Sequence, residues 1–345
     1  MEKILLIADC GDYKDNSNGV YAKNIQLHGR LKELFSQIRH VNTNNWKRNP
    51  FVLINVLLSL IFYRKKNIII SLNTPSAYKL ISLASFLFPN IKLVYFVIAG
   101  VLPDYIRQRK ESERKDYGCV SWFLVETMDM KRQMEELGYM NVKYVPNFKK
   151  INYLPLCDIS ATKETKFVFV SRIIPEKGCD LIFEMVKKLN ELGLREIFKV
   201  DFYGKIDEEY KCRFLKQIET HSNVNYMGYL DLKQTGNYDL LSSYHVMLFP
   251  TYWKGEGFPG VLIDAFISGL PVIATDWAYN KEIVKHGETG FIIPTRDSEA
   301  LTKVANNCIK NQEELLVMRA KSQQHAMDFD TRKILTADFF ETILK

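Results

Sequence analysis

The chain has 345 residues, 47% of them hydrophobic and 25% charged, and a formal net charge of +7. That length exceeds one ordinary core and suits two domains, and the composition excludes disorder as the starting expectation. The positive balance suits an anionic ligand or an anionic membrane surface; with no cationic run longer than Arg64-Lys65-Lys66, no nucleic-acid partner is expected.

Strand-like and helix-like segments alternate through the first half. Strands are expected at Lys3–Ala8, Asn67–Leu72, Lys92–Ile98, Cys119–Val125 and Val142–Val145, where short apolar, β-branched runs end at turn residues. Helices are expected at Tyr21–Phe35, Tyr78–Phe88 and Met128–Leu137. The apolar start is too short for a signal core, so no signal peptide and a cytoplasmic location are expected. The most apolar window, Phe51–Tyr63, has thirteen residues and runs into Arg64-Lys65-Lys66. It falls short of the about 20 residues that span a bilayer. Lacking Trp, it reads as a buried helix of the first domain. The alternative is a helix resting on a membrane, a peripheral contact at the inner face of the plasma membrane.

The polar stretch Asn147–Glu164 reads as a linker, which gives domains at 1–150 and 151–330 and a C-terminal helix, 331–345, packing back toward the first domain. Beyond the linker, strands are expected at Phe167–Ser171, Val200–Gly204, Asn223–Met227, His245–Pro250 and Pro271–Thr275. Helices are expected at Gly178–Leu192, Glu208–Thr220, Leu232–Leu241 (capped by Asp231), up to Ser268, and then at Ser298–Lys310, Glu313–Met327 and Thr331–Leu344. Such alternation implies parallel sheets covered on both faces. Six cysteines, at 10, 119, 157, 179, 212 and 308, form no C-x-x-C pair and lie near no His at zinc spacing, so scattered thiols are expected rather than a metal site.

In doubly wound sheets ligands bind beyond the carboxyl ends of the strands, so the loops after strands are the candidates. After His245–Pro250 comes Gly255-Glu256-Gly257-Phe258-Pro259, then an apolar helix containing Asp264 and ending at Gly269-Leu270-Pro271. Pro259 suits a first helical turn and Gly269 a left-handed cap. The helix start offers free N–H groups to an anion, and Gly255 and Gly257 leave room for a ligand beside the backbone. Glu256 and Asp264 suit hydroxyls of one bound polyol. An acid inside an apolar helix needs a partner, which the sequence does not name. After Phe167–Ser171, Arg172 and Lys177 suit a diphosphate and the charge that develops as it leaves; a surface pair, with one cation bridged to Glu176, is the alternative. Gly19, after Asn16-Ser17-Asn18, and Gly204 are lesser phosphate candidates, an ordinary turn being as good a reading of Gly19.

Val170-Ser171-Arg172 through Glu176-Lys177-Gly178, then Glu256-Gly257-Phe258-Pro259, Gly269-Leu270-Pro271-Val272-Ile273-Ala274-Thr275 and Gly287-Glu288-Thr289-Gly290-Phe291, resembles the nucleotide-binding half of glycosyltransferase family four. The resemblance is strong over about Phe167–Pro294. In the first half, Ala99-Gly100-Val101-Leu102-Pro103 and Val145-Pro146-Asn147-Phe148 resemble bacterial enzymes that build capsule, exopolysaccharide or lipopolysaccharide. The resemblance implies a GT-B α/β fold, two doubly wound Rossmann-like domains facing across a cleft. It implies a retaining, metal-independent hexosyl transfer without cofactor, from a UDP- or GDP-sugar to a hydroxyl of a growing glycan or lipid-linked glycan. Arg172 and Lys177 would grip the diphosphate, and Glu256 with Gly257, Phe258 and Pro259 the donor sugar. Asp264 would bind the ribose, with Gly19 and Gly204 near the donor. Two departures stand out: Asp264 replaces the family's Glu, and Ile98-Ala99-Gly100 lacks its frequent His. A catalytically silent fold-mate that binds a glycan or stabilises a partner transferase, a nucleotide-sugar epimerase and a phosphorylase remain as rivals.

Overall fold

The computed structural model describes residues 3–11, 19–46, 48–156, 163–232, 234 and 236–344. The chain divides into two compact units, the first formed by the segments up to Lys150 and from Phe329 on, the second by Ile151–Asp328. Part of the expected linker, residues 157–162, and the turn Asn16-Ser17-Asn18 lie outside the described residues.

The first unit contains β1 (Ile4–Ala8), β2 (Ile38–Asn42), β3 (Asn67–Ser71), β4 (Leu93–Phe96), β5 (Val120–Val125) and β6 (Val142–Tyr144). They form one parallel sheet in the order β2-β1-β3-β4-β5-β6. All five residues of β1 are buried, as a central parallel strand covered on both faces requires. The crossovers β2→β3 and β3→β4 run in the same direction across the sheet. Their right-handedness puts the helices Pro50–Tyr63 and Thr74–Leu87 on one face and helix Gly19–Leu34 on the other. Leu27 and Leu31 of that last helix share a core with Ile4, Leu6, Phe340 and Ile343. The expected helix Thr331–Leu344 is interrupted: Thr331–Ile334 and Ala337–Leu344 are separate. Two caps explain the break. The Asp330 carboxylate accepts from the Arg332 N–H, and the Thr336 hydroxyl from the Phe339 N–H at 3.1 Å, each restarting the helix.

The second unit contains β7 (Thr165–Val170), β8 (Phe198–Tyr203), β9 (Val224–Tyr226), β10 (Val246–Phe249), β11 (Val272–Thr275) and β12 (Gly290–Ile293). Its parallel order is β12-β11-β10-β7-β8-β9. Phe183, Phe202 and Phe214 meet at its centre, with ring centroids 5.3 Å apart for Phe183–Phe202 and for Phe202–Phe214. The strand order reverses between β7 and β10, so their two following loops lie side by side at the carboxyl edge of this unit. The helix expected from Leu232 starts only at Gly236. The Asp231 carbonyl accepts from the Gln234 N–H and the Asn237 amide, so Asp231 closes a turn ahead of the helix.

Two strands escape the sequence pattern, β2 and β12. Both are edge strands. β2, Ile-Arg-His-Val-Asn, buries only Val41, and β12 is four residues long.

Candidate functional site

The loop after β7 turns back at Gly178, which has φ +81° and starts the helix Cys179–Glu191. A Cβ there would stand 2.2 Å from the Pro250 carbonyl oxygen at the end of β10. Only glycine satisfies both the left-handed backbone and this approach. The contact pulls Lys177 toward the loop after β10. Gly204 does similar work after β8: with φ +151°, its Cβ would be 1.7 Å from the Ser171 carbonyl oxygen. Gly204 is thus a packing residue that holds the backbone before Arg172.

Lys177 and Glu256 meet across these loops. The Lys177 ammonium lies 2.5 Å from Glu256 Oε2, and the side chains are each 6% exposed. The alternative of a surface cation pair, one member bridged to Glu176, does not describe Lys177, which is buried against an acid 79 residues away. The Thr251 hydroxyl donates to the same Oε2 at 2.9 Å. Burial lowers the Lys177 pKa below the ordinary lysine value, Glu256 opposes that shift, and Arg172 reinforces it. A buried pair of this kind is held charged by its geometry and is sensitive to loss of either member.

Trp253 ties the second cation to the first. The exposed Arg172 guanidinium lies 4.5 Å from the Trp253 ring centroid, and the Lys177 ammonium 4.9 Å from it. Both distances fit a cation over an aromatic face. A Cβ at Gly255 would touch the Trp253 ring at 2.6 Å, so the space expected beside Gly255 for a ligand is filled by indole. Trp253 is anchored in turn, its carbonyl accepting from the Trp277 indole N–H at 2.8 Å. Sequence reasoning gave Trp253 no role; an aromatic between two candidate cations and two glycines was its signal.

The helix after this loop runs Gly260–Ile267, with Pro259 at its N-cap instead of its first turn and no side chain capping it. Its C-terminus carries the expected left-handed Gly269, φ +67°. The Gly269 N–H reaches the Phe266 carbonyl and the Leu270 N–H the Ala265 carbonyl, the paired bonds of a Schellman end. Gly257, Phe258 and Pro259 are buried ahead of the helix. Asp264 is buried within it and accepts a 2.7 Å hydrogen bond from the Tyr238 hydroxyl. Tyr238 is the partner the sequence left unnamed; burial and then Asp264 push its pKa upward. Glu256 and Asp264 are therefore anchored to different side chains. Gly19 belongs to the first unit, where it is exposed at the start of its helix.

Buried polar groups elsewhere in this unit support its frame. Tyr244 donates to Asp201 at 2.7 Å, and Asn225 to the other Asp201 oxygen at 2.8 Å. Arg319 donates to the Tyr244 and Ser242 carbonyls. Among the described residues no group of three or more His, Cys, Asp or Glu is arranged to hold a metal ion.

Comparison with known proteins adds relatives to this geometry. The GtfA subunit of the UDP-N-acetylglucosamine–peptide N-acetylglucosaminyltransferase of Streptococcus pneumoniae is 30% identical over 237 residues, 63% of this chain and 44% of that protein. The capsular polysaccharide biosynthesis glycosyltransferase CapM of Staphylococcus aureus is 23% identical over 84% of this chain and 82% of its own. The chain spans less than half the length of the first curated relatives it matches, 44% and 40%. Among solved structures, HepE of Anabaena in complex with UDP superposes with a TM-score of 0.72 at 16% identity, covering 99% of this chain and 100% of that one. Sucrose-phosphate synthase of Thermosynechococcus elongatus gives 0.74 at 15%, covering 99% of both. The whole chain thus has the α/β fold of two Rossmann-like domains found in GT-B glycosyltransferases, and its residues 158–325, which hold the Lys177–Glu256 site, match the family described as glycosyl transferases group 1.

Proposed function

We propose that the chain is a retaining, metal-independent glycosyltransferase of family four. It moves a sugar from a UDP-sugar to a hydroxyl of a growing bacterial surface polysaccharide or lipid-linked glycan. The observation that carries this reading is the buried Lys177–Glu256 pair beside Arg172, where the strand order of the second unit reverses. Names of relatives support the donor and the acceptor class: UDP-N-acetylglucosamine for GtfA, UDP in the HepE complex, capsular polysaccharide for CapM. Retention, metal independence and the family-four assignment rest on the motif resemblance.

Each residue then has a chemical task. Arg172 and Lys177 hold the diphosphate and stabilise the charge it gains as the C1–O bond to phosphate breaks. Glu256 accepts hydroxyls of the donor sugar and keeps the Lys177 ammonium charged in its buried setting. Gly257, Phe258 and Pro259 shape the wall beside that sugar. Asp264, oriented by Tyr238, takes the ribose hydroxyls; Gly204 supports the phosphate loop. The first unit serves the acceptor side, with Gly19 at its helix start offered to the donor phosphate. The acceptor oxygen forms the new bond to C1 on the face the diphosphate leaves, and its proton passes to the departing phosphate oxygen. Most of the rate gain comes from positioning and from stabilising the leaving group.

The purified chain, incubated with a panel of UDP- and GDP-sugars and followed by mass spectrometry with and without EDTA, tests this. A UDP-sugar is expected to be consumed equally in both, and Lys177→Ala and Glu256→Ala to reduce consumption at least ~100-fold. Conversion of the donor to an isomer without acceptor would mark an epimerase. Nucleotide binding without any turnover would mark a silent fold-mate, and no interaction with any nucleotide-sugar would end the reading.

A further inference from the structure

The helix Pro50–Tyr63 was expected to be buried, and the structure overturns that. It meets its sheet through Val56, Ser59 and Leu60. At 100° per residue, Phe51, Ile54, Leu58, Ile61 and Phe62 fall in a single stripe roughly 100° wide on the opposite side. All five are exposed, Phe51 by 76% and Phe62 by 71%. Surface helices normally turn charged and polar residues outward; this one turns its most apolar side chains to solvent. On the same face of the sheet, helix Thr74–Leu87 ends in Phe86, 83% exposed, and Leu87. An apolar surface of this kind marks a contact with another phase or molecule.

Charge identifies the contact. From Leu34 to Pro103 the sequence holds eight Lys or Arg and no Asp or Glu, which leaves the rest of the chain at −1. Arg64, Lys65 and Lys66 are exposed at the end of the apolar helix, and Arg48 just before it. Lys65 continues the apolar stripe, and Lys66 lies 5.4 Å from the Tyr63 ring. A second copy of the chain docking through the same face would set cations against cations in an isologous contact. A protein partner would need a surface both apolar and acidic to match it. An anionic bilayer complements both components, with acyl chains for the phenylalanines and headgroups for the cations. A helix of 14 residues is about 21 Å long, short of the ~30 Å hydrocarbon core. Among the described residues no helix is long and apolar enough to cross a membrane. A helix of this length that meets a bilayer lies in the plane of the interface.

We propose that the first unit docks on anionic membrane surfaces through Phe51, Ile54, Leu58, Ile61 and Phe62, with Arg64, Lys65 and Lys66 at the headgroups. This stands apart from the donor reading, since none of these residues belongs to the Lys177–Glu256 site.

Flotation of the full chain with vesicles of phosphatidylcholine, alone or mixed with phosphatidylglycerol, tests it. Floating with the anionic vesicles and not with the neutral ones is expected. The double variant Phe51→Ser/Phe62→Ser and the triple variant Arg64→Glu/Lys65→Glu/Lys66→Glu are each expected to lose at least ~10-fold in partitioning. Their melting temperatures and UDP affinity should match wild type, because the altered side chains are exposed and outside the donor site. Three results overturn the proposal: wild type left at the bottom of the gradient at low salt, variants that float as well as wild type, or a solution dimer that the Phe51→Ser/Phe62→Ser variant dissolves. The last assigns the face to a second copy of the chain.

Discussion

Replacing Glu256 by Leu leaves the Lys177 ammonium buried without its carboxylate. Lys177 is 5% exposed, and its pKa is already lowered by burial with Glu256 in place. The unpaired lysine has one escape, to fold neutral. Arriving neutral at pH 7 costs at most about 5 kcal/mol, from about 1.4 kcal/mol per pH unit below the ordinary lysine value. Breaking one side of a buried pair costs about 3–5 kcal/mol, so the two figures agree. The sign also follows. The unfolded chain binds the proton up to the ordinary lysine value of 10.5 and the folded variant releases it lower, so stability of Glu256→Leu rises with pH across that window. Urea unfolding of the second unit is expected to show a loss of ~3 kcal/mol or more at pH 7, with recovery of about 1.4 kcal/mol per unit toward pH 9. The double variant Lys177→Met/Glu256→Leu, with no stranded charge, should be more stable than Glu256→Leu alone while binding no nucleotide. A loss under ~1 kcal/mol with no pH slope would refute this account of the pair.

Three further outcomes follow from individual contacts. Gly204→Ala forces a Cβ onto the Ser171 carbonyl at a left-handed φ and should cost more than ~2 kcal/mol, read as a lowered melting temperature; an unchanged one would remove Gly204 from the frame. Tyr238→Phe takes the hydroxyl from buried Asp264 and should weaken UDP binding by ~5–50-fold with little change in kcat; equal affinity would detach Asp264 from the ribose. His245 is fully buried, and burial, reinforced by Arg319, lowers its pKa from 6.5 to about 4. Its unfolded form takes up the proton first, so the stability it contributes is complete above pH 6.5 and is lost as pH falls toward 4, up to about 3 kcal/mol. His245→Asn, which keeps an acceptor for the Lys166 N–H, should flatten that acid limb in urea midpoints at pH 7 and 4.5, and an unaltered limb would assign it elsewhere.

The legible parts of the chain were those where side chains report their own surroundings. Buried parallel strands read clearly, because Ile4–Ala8 or Phe167–Val170 are apolar throughout. The edge strand β2 did not, since half in solvent it tolerates Arg39 and His40; shortness does not account for β12, because β10 and β11 are equally short and read clearly. Caps decided the remaining boundaries: Asp330 and Thr336 split one apparent helix in two. At the site, Arg172, Lys177 and Glu256 were nameable because loops after strands were the places to look. Their partnership was not, since a pair 79 residues apart leaves no periodic trace. Tyr238 was invisible for the same reason, and Gly178 stood in the motif without showing that its need for glycine comes from a carbonyl on another strand. The apolar helix Pro50–Tyr63 misled in the opposite sense. Hydrophobicity implies removal from water, but the sequence does not say whether protein or another phase removes it.

The central claim is that a nucleoside diphosphate binds at Arg172 and Lys177. Calorimetric titration of the full chain with UDP and with UMP, for wild type and Arg172→Ala, tests it most directly. The account predicts one saturable UDP site, much weaker UMP binding, and ~10–100-fold lower UDP affinity for Arg172→Ala. Absent UDP binding, or an Arg172→Ala variant that binds UDP as wild type does, would contradict it.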